Sequence, residues 1–172
     1  MKRSFVSLLT FLFFFIPVFA ADLWHMVEVS DGDTIWIKKE GQRKIKVRVW
    51  GIDTPEKYHS EKLERTARKC GVDVDDVRRL GVLATKHAES LFSQKGKQVE
   101  VEFKGMGYYG RYLGIIHFAD GTDFGKQMIT DGYACVYWRN TKQDYINAQE
   151  RAKSERAGLW GVDYGLMRCL CE

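Results

Sequence analysis

Residues 45–56 read Ile-Lys-Val-Arg-Val-Trp-Gly-Ile-Asp-Thr-Pro-Glu, a stretch that combines a strand pattern with several ionisable side chains. From Ile45 to Val49 every second residue is apolar, which is typical of a strand that buries one face. Arg48 then lies on the opposite face, where a solvated basic surface is the simplest interpretation. Asp53–Glu56 contains a proline and reads as a turn that ends the strand. The remaining motifs decide between these ordinary interpretations and a functional site.

Four further segments alternate in the same way and predict strands: Met26–Val29, Thr34–Lys38, Val99–Phe103 and Leu113–Phe118. Apolar spacing, composition and end signals predict three helices: Asp73 to about Gly96, Phe124–Asp131, and Thr141 to about Ala157. These elements predict an α+β, β-rich fold, in which about five short strands form a small antiparallel barrel capped by about three helices. Periodicity supports the α+β class, but it does not by itself select a barrel.

Residues 1–20 have the pattern of a cleaved secretory signal. Basic residues open the chain, Phe5–Phe19 is almost wholly apolar, and Val18 and Ala20 put small residues at the −3 and −1 positions of a cleavage site. The apolar run is short for a membrane span of about 20 residues, although an uncleaved anchor is the alternative. We therefore expect a secreted or periplasmic protein in which residues 21–172 form a single domain.

Charge alone does not indicate a nucleic-acid partner. The formal net charge of the whole sequence is +4, and two of its basic residues belong to the predicted signal. A nucleic-acid binder usually has a basic patch, so any such patch must arise from local arrangement.

Four cysteines, an even number, are compatible with two disulfides in an oxidising compartment, and they allow three connectivities. We expect at least one disulfide, with Cys70 joined to the C-terminal tail as the first hypothesis. The alternative for Cys135, which lies in an apolar segment, is a buried thiol. Metal binding through cysteine is not indicated, because the sequence has no spaced Cys-x-x-Cys pairs.

Two more motifs carry ionisable side chains of the same kinds as residues 45–56. Asp31 and Asp33 flank a glycine before a predicted strand, and Arg111 follows Tyr109 and a glycine at the entrance to another. An Asp-Gly turn and an exposed turn arginine are the competing interpretations. Together, however, the motifs supply carboxylates for a hard metal ion, an acid for proton transfer and arginines for phosphate. That combination indicates hydrolysis of a phosphodiester.

The order of these motifs resembles that of the staphylococcal (micrococcal) nuclease family. Asp-Gly-Asp-Thr precedes Arg-x-x-x-x-Asp-Thr-Pro-Glu, then Tyr-Gly-Arg and Ala-Gly-Leu-Trp follow, and the likeness runs from about Trp24 to Trp160. The resemblance implies a five-stranded Greek-key barrel of the oligonucleotide/oligosaccharide-binding (OB) type with three helices. It also implies a calcium-dependent endonuclease that cuts DNA and RNA with little sequence specificity and leaves 3′-phosphate ends.

By the same resemblance, the acidic motifs form a metal and water site. Asp33, Asp53 and the carbonyl of Thr54 would bind Ca2+, and Asp31 would support them. Glu56 would act as the general base or as the group that orients the attacking water.

The resemblance also assigns the substrate contacts. Arg48 and Arg111 would bind the scissile phosphate, and Tyr109 would lie near a terminal phosphate. Tyr108 stands where the staphylococcal protein has a lysine, which removes one point charge. Trp138 stands where the family stacks an aromatic ring on a base, and a core tryptophan is the competing interpretation.

One segment departs from the family pattern. Lys57–Leu80 is longer than the corresponding loop and contains an extra amphipathic stretch. The expected partners are DNA and RNA, single-stranded or locally open, bound by a monomer that has no stable membrane association after signal cleavage. Two other functions stay open: an OB module that binds nucleic acid without catalysis, and a calcium-stabilised envelope protein.

Overall fold

Five strands close into a barrel in the computed structural model, which describes residues 23–139 and 142–172. The strands, including a separate short pair, are β1 (Trp24–Asp31), β2 (Thr34–Lys38), β3 (Ile45–Val49), β4 (Ile52–Asp53), β5 (Gln98–Met106), β6 (Tyr112–Phe118) and β7 (Cys135–Val136). The barrel order is β1-β2-β3-β6-β5, and β4 pairs with β7 outside it. The α+β class and the five predicted strands are confirmed, whereas the predicted signal at residues 1–20 lies outside the described residues.

One pair of barrel strands differs from the predicted antiparallel arrangement. β3 and β6 run parallel, with Val47 beside Tyr112 and Val49 beside Gly114. Parallel neighbours need a long crossover, and the chain between these two strands contains helices and β5. Alternation within each strand carries no information on direction, so the sequence could not predict this pair.

The first strand breaks the predicted alternation. β1 has two register shifts against β2, between Met26 and Glu28 and between Val29 and Asp31. Each irregularity bends the strand and changes which residues face inward. Met26 and Val29 are both buried as a result, while Val27 between them is exposed. The bend helps a short sheet to close on itself.

Six α-helices occur in the described residues, rather than the predicted three: α1 (Glu61–Cys70), α2 (Val74–Lys95), α3 (Phe124–Thr130), α4 (Gln143–Glu155), α5 (Leu159–Val162) and α6 (Tyr164–Cys171). The helices α2, α3 and α4 correspond to the predicted ones, although the predicted start of α4 at Thr141 lies outside the described residues. The extra helix α1 comes from the long Lys57–Leu80 segment, where the Ser60 side chain caps it by accepting from the Leu63 N–H at 3.1 Å.

The apolar core has two parts. One fills the barrel, where Ile35 and Val47 pack with Phe92 of α2. The other lies among the helices and includes Leu63 of α1 and Trp160 of α5. Because α2 contributes to both parts, it joins the barrel to the helical layer. No helix in the described part of the chain is long and apolar enough to cross a membrane.

Two disulfides hold the helical layer together. Cys70–Cys169 joins the end of α1 to α6, and Cys135–Cys171 joins β7 to α6. The predicted pairing of Cys70 with the tail is confirmed. The alternative that Cys135 is a free buried thiol is wrong.

Candidate active site

One cleft of about 700 Å³ is lined by residues from all three predicted motifs, whereas Asp53 and Thr54 line a smaller pocket together with Glu56 and Lys62. Asp31 and Asp33 come from the end of β1 and the turn that follows it, Arg48 comes from β3, and Glu56 comes from the loop after β4. Arg111 lies between a 3-10 turn and β6. The helix α1 adds a wall that the sequence did not predict. The lining residues are Asp31, Asp33, Lys46, Arg48, Glu56, Ser60, Glu61, Lys62, Arg65, Tyr109 and Arg111.

The turn between β1 and β2 fixes Asp33 against the loop after β4. Asp33 is buried, and its Oδ2 accepts a hydrogen bond from the backbone N–H of Thr54 at 3.1 Å. Its Oδ1 accepts from the Thr34 hydroxyl at 3.0 Å. Gly32 permits this close approach, because a Cβ there would lie 2.9 Å from the Thr54 Cγ2. The two acidic motifs are therefore held together by packing and by a direct hydrogen bond.

Arg48 joins the two carboxylates that were predicted to bind metal. Its Nη1 forms an ion pair with Asp33 Oδ2, and its Nη2 lies 2.6 Å from Asp53 Oδ1. Nη2 also lies 3.3 Å from the carbonyl oxygen of Ile52. The Arg48 side chain is only 17% exposed, so the interpretation as a solvated basic face is wrong for this residue.

These contacts decide the ionisation of the acidic turn. Burial alone would raise the pKa of Asp33, but the Arg48 guanidinium outweighs burial and holds that pKa well below its usual range. Burial also opposes the charge on Arg48, and Asp33 and Asp53 nevertheless raise the pKa of this guanidinium. For Asp31, the two largest influences are burial and the nearby charge of Asp33, and together they raise the pKa of this carboxyl to about 7. Asp33 and Arg48 are therefore ionised at neutral pH, whereas the charged form of Asp31 is disfavoured relative to that of Asp33.

Glu56 is positioned by the helix that passes behind it. A Cβ on Gly81 of α2 would lie 2.5 Å from the carbonyl carbon and oxygen of Glu56. Only glycine therefore allows the helix to come this close to the loop. The Glu56 backbone is fixed against α2, and its side chain lines the cleft.

Lys62 is a site residue that the sequence analysis missed. Its Nζ lies 3.1 Å from Asp53 Oδ1, 3.2 Å from Asp53 Oδ2 and 2.5 Å from Glu56 Oε1. Burial would lower the pKa of Lys62, but Asp53 and Glu56 outweigh it and raise that pKa. The Ser60 cap and the apolar spacing of Leu63 could have located α1. Nothing in the pattern indicates that Lys62 contacts the acids.

Arg111 and Tyr109 also line the cleft. Tyr109 is 94% exposed and has the left-handed φ of 63°. The Arg111 guanidinium lies 5.8 Å from the centre of the Tyr109 ring. Both side chains are accessible to a molecule that enters the cleft.

Trp138 is not among the residues that line this cleft. Its side chain is 74% exposed, so the interpretation as a core tryptophan is wrong. The guanidinium of Arg139 lies 4.3 Å from the centre of its ring. Trp138 follows β7, which pairs with the strand that carries Asp53.

The donor atoms of the site suit a hard cation. Asp33 and Asp53 offer carboxylate oxygens and Thr54 offers a carbonyl, the ligand types that Ca2+ prefers. Arg48 already brings the two carboxylates onto one guanidinium group. Within residues 23–139 and 142–172, however, no three acidic, histidine or cysteine side chains converge as a metal cluster. Because Ca2+ takes six to eight oxygen ligands, a cation held by two carboxylates and one carbonyl would also need oxygens from water or substrate.

The fold and the cleft define a small barrel protein in which the Arg48 guanidinium bridges two carboxylates and a second arginine lines the same cleft. The chain belongs to the staphylococcal nuclease family, since the family model described as staphylococcal nuclease homologue matches residues 46–162. The matched range includes Arg48, Glu56 and Arg111, whereas Asp31 and Asp33 precede it.

Curated relatives cover most of the chain. An uncharacterized endonuclease of Escherichia coli O157:H7 is 30% identical over 160 residues, which are 92% of this chain and 90% of the relative. An uncharacterized protein of Methanocaldococcus jannaschii is 31% identical over 147 residues, 78% of this chain and 70% of its own length. Endonuclease YhcR of Bacillus subtilis is 29% identical over 81% of this chain, which spans only 11% of that protein.

Proposed function

We propose that the protein is a calcium-dependent endonuclease that hydrolyses phosphodiester bonds in DNA and RNA with little sequence specificity. The observation that carries the proposal is the arrangement of Arg48 between Asp33 and Asp53, in a cleft that also holds Glu56 and Arg111. Family membership and the names of the endonuclease relatives support a nucleic-acid substrate.

Two arginines bind the phosphate that reacts. The guanidinium groups of Arg48 and Arg111 donate to its non-bridging oxygens and offset the negative charge that grows as phosphorus gains a fifth oxygen. Arg48 is held in place by carboxylates before substrate arrives, which limits the reorganisation needed during the reaction.

Glu56 handles the water. It orients a water molecule for attack in line with the bond to the 5′ oxygen and accepts a proton from it. The hydroxyl oxygen joins phosphorus, the bond to the 5′ oxygen breaks, and solvent protonates the leaving oxygen. The products carry a 3′-phosphate and a 5′-hydroxyl, which separation of labelled fragments by end chemistry would test.

Ca2+ would be held by Asp33, Asp53 and the Thr54 carbonyl, with Asp31 behind them, and would polarise a phosphate oxygen. The protein positions these donors through the Asp33 contact with the Thr54 N–H and through Arg48. In the absence of substrate, the Arg48 guanidinium offsets the repulsion between the negative charges of Asp33 and Asp53.

Two exposed aromatic side chains extend the substrate contacts. Tyr109 lines the cleft and is suited to contact a terminal phosphate or sugar. Trp138 does not line the cleft, and its exposed ring is suited to stack on a base of the same strand. If single-stranded DNA quenches the tryptophan fluorescence of the wild type but not that of Trp138→Phe, this role is supported. Equal quenching in the two proteins would contradict it.

The finer features of fold and location belong to the same proposal. The strand order and the parallel β3–β6 pair support an OB-type Greek-key barrel. The two disulfides support maturation in an oxidising compartment, secreted or periplasmic. Mass measurement of exported protein would reveal whether the chain starts after residue 20.

The experiment is degradation of single-stranded DNA and RNA by purified residues 21–172, in millimolar calcium and then in excess chelator. Arg111→Ala, prepared in parallel, controls for a contaminating nuclease. Cleavage that requires calcium and is lost in the variant is the expected result.

Two other results would assign the protein differently. Binding of DNA without cleavage would indicate a nucleic-acid-binding module, which the presence of Asp33, Glu56, Arg48 and Arg111 in one cleft disfavours. A melting temperature raised by calcium, with neither binding nor cleavage, would indicate a calcium-stabilised structural protein.

A further inference from the structure

Lys62 lies between Asp53, a proposed metal ligand, and Glu56, the proposed general base. Its ammonium contacts both oxygens of Asp53 and one oxygen of Glu56, at distances of 3.1, 3.2 and 2.5 Å. The side chain is 43% exposed, so water reaches it, but its charged end lies among the acids. One lysine therefore neutralises two of the groups on which the proposed reaction depends.

The helix that carries Lys62 is anchored at both ends. Ser60 caps its first turn, and Cys70 at its end is bonded to Cys169 of α6. Between them, Leu63 and Ala67 are buried in the helical part of the core. The ammonium is thus presented to Asp53 by a fixed element and not by a loose loop.

We infer that Lys62 is a positioning residue that competes with the divalent cation for Asp53 and so weakens cation binding. This inference rests on the proposed function, specifically on the use of Asp53 as a calcium ligand. Both oxygens of Asp53 accept hydrogen bonds from the ammonium and Oδ1 also contacts Arg48, so a cation that binds Asp53 must share its oxygens with Lys62 or displace it. It must also tolerate a positive charge a few ångströms away, which opposes binding.

Competition of this kind means that the site fills only at high calcium concentrations. Extracellular calcium modules have dissociation constants of about 10⁻⁴–10⁻³ M, whereas intracellular sensors bind far more tightly. For a site weakened by an internal ammonium, we expect a dissociation constant in the first range. The enzyme would then be filled with calcium outside the cytoplasm and largely empty at cytoplasmic concentrations.

The test is direct titration with calcium alone, by isothermal calorimetry, on residues 21–172 of the wild type, Lys62→Met and Lys62→Arg. Arg68→Met is the matched control: Arg68 is on the same helix, is exposed and pairs with Glu64 at 3.7 Å. We expect the neutral Lys62→Met to bind calcium at least about tenfold more tightly than the wild type. Lys62→Arg and Arg68→Met should stay within about threefold of it.

The calcium dependence of the melting temperature gives a second readout that does not depend on turnover. In Lys62→Met, the melting temperature should begin to rise at a lower calcium concentration than in the wild type. Asp53→Asn serves to identify the site, since it should abolish the tight binding. Equal or weaker binding by folded Lys62→Met would overturn the inference and leave the proposed calcium site intact. Absence of calcium binding in both the wild type and Lys62→Met would overturn the inference together with the calcium site.

Discussion

Arg48 and Arg111 are proposed to bind the same phosphate, yet their surroundings in the protein differ. Arg48 is largely buried and bridges Asp33 and Asp53, while Arg111 lines the cleft beside Tyr109. A buried ion pair also supports the fold, because removing one partner leaves the other charged and desolvated. The two arginines should therefore differ in their effect on stability, although the proposed mechanism requires both for turnover.

For Arg111→Ala we expect a decrease in kcat of about 10²–10³-fold, because one donor to the transition-state charge is lost. The melting temperature should change little, since the side chain is on the cleft wall and outside the core. Steady-state cleavage and thermal unfolding check the two parts. Arg43→Ala, which removes an exposed arginine between β2 and β3, is the control. A near-normal rate in Arg111→Ala would contradict the mechanism.

For Arg48→Ala we expect loss of activity together with a lower free energy of unfolding, by about 3 kcal/mol. The reason is that Asp33 is buried and would lose the guanidinium that keeps it ionised. Urea unfolding of the metal-free protein measures the second effect. Adding Asp33→Asn to Arg48→Ala should recover part of the stability and none of the activity. If Arg48→Ala unfolds like the wild type, the ion pair has no structural role.

Among the elements, α2 has a specific effect on the site through Gly81. Gly81→Ala adds a methyl group that would lie 2.5 Å from the Glu56 carbonyl, so the loop or the helix must shift. Misplacement by about 1 Å can cost a factor of 10² in rate, and we expect kcat to fall by at least about tenfold. Gly165→Ala in α6 is the matched control, because its Cβ would lie 3.7 Å from its nearest neighbour. Alanine favours a helix by about 1 kcal/mol, so this control should be neutral or stabilising. Equal rates for Gly81→Ala and the wild type would show that Glu56 is not positioned by α2.

The elements that the sequence predicted well are those with uninterrupted local patterns. The helix α2 starts after Asp73 and ends before Gly96, as the sequence predicted, although the Asp73 side chain makes no capping hydrogen bond. In β1, by contrast, bulges turn Met26 and Val29 to the same side, and bulges come from barrel closure and not from local preference. The parallel β3–β6 pair is likewise a property of the whole chain path.

The same distinction applies to the site. The acidic and basic motifs were recognisable because their order matched a family, and the structure brings Arg48 against Asp33 and Asp53. Lys62 was not predictable, because its contact with Asp53 depends on how α1 packs and is anchored. The segment that departs from the family pattern supplied the contact that pattern reasoning could not reach.

On the scale of the whole molecule, the disulfides connect the cleft to the helical layer. We expect Cys70→Ser/Cys169→Ser to lower the free energy of unfolding by about 2–5 kcal/mol. The Cys135–Cys171 pair spans 36 positions and Cys70–Cys169 spans 99, so chain entropy makes the latter worth about 1 kcal/mol more. Urea unfolding of the two double variants measures the difference. A larger loss from Cys135→Ser/Cys171→Ser would show that local packing outweighs loop length.

The positions of the cysteines along the chain also set the order in which the covalent structure can be completed. Both native partners on α6, Cys169 and Cys171, are synthesised after Cys70 and Cys135. A chain that meets oxidant before residue 169 has emerged can bridge only Cys70 to Cys135, and this wrong bridge must later be broken by thiol exchange. We therefore expect chains that are oxidised during synthesis or export to pass through a Cys70–Cys135 species and to mature faster with a disulfide isomerase. Acid-trapped intermediates mapped by mass spectrometry would reveal that species, and direct formation of the two native bridges would contradict it.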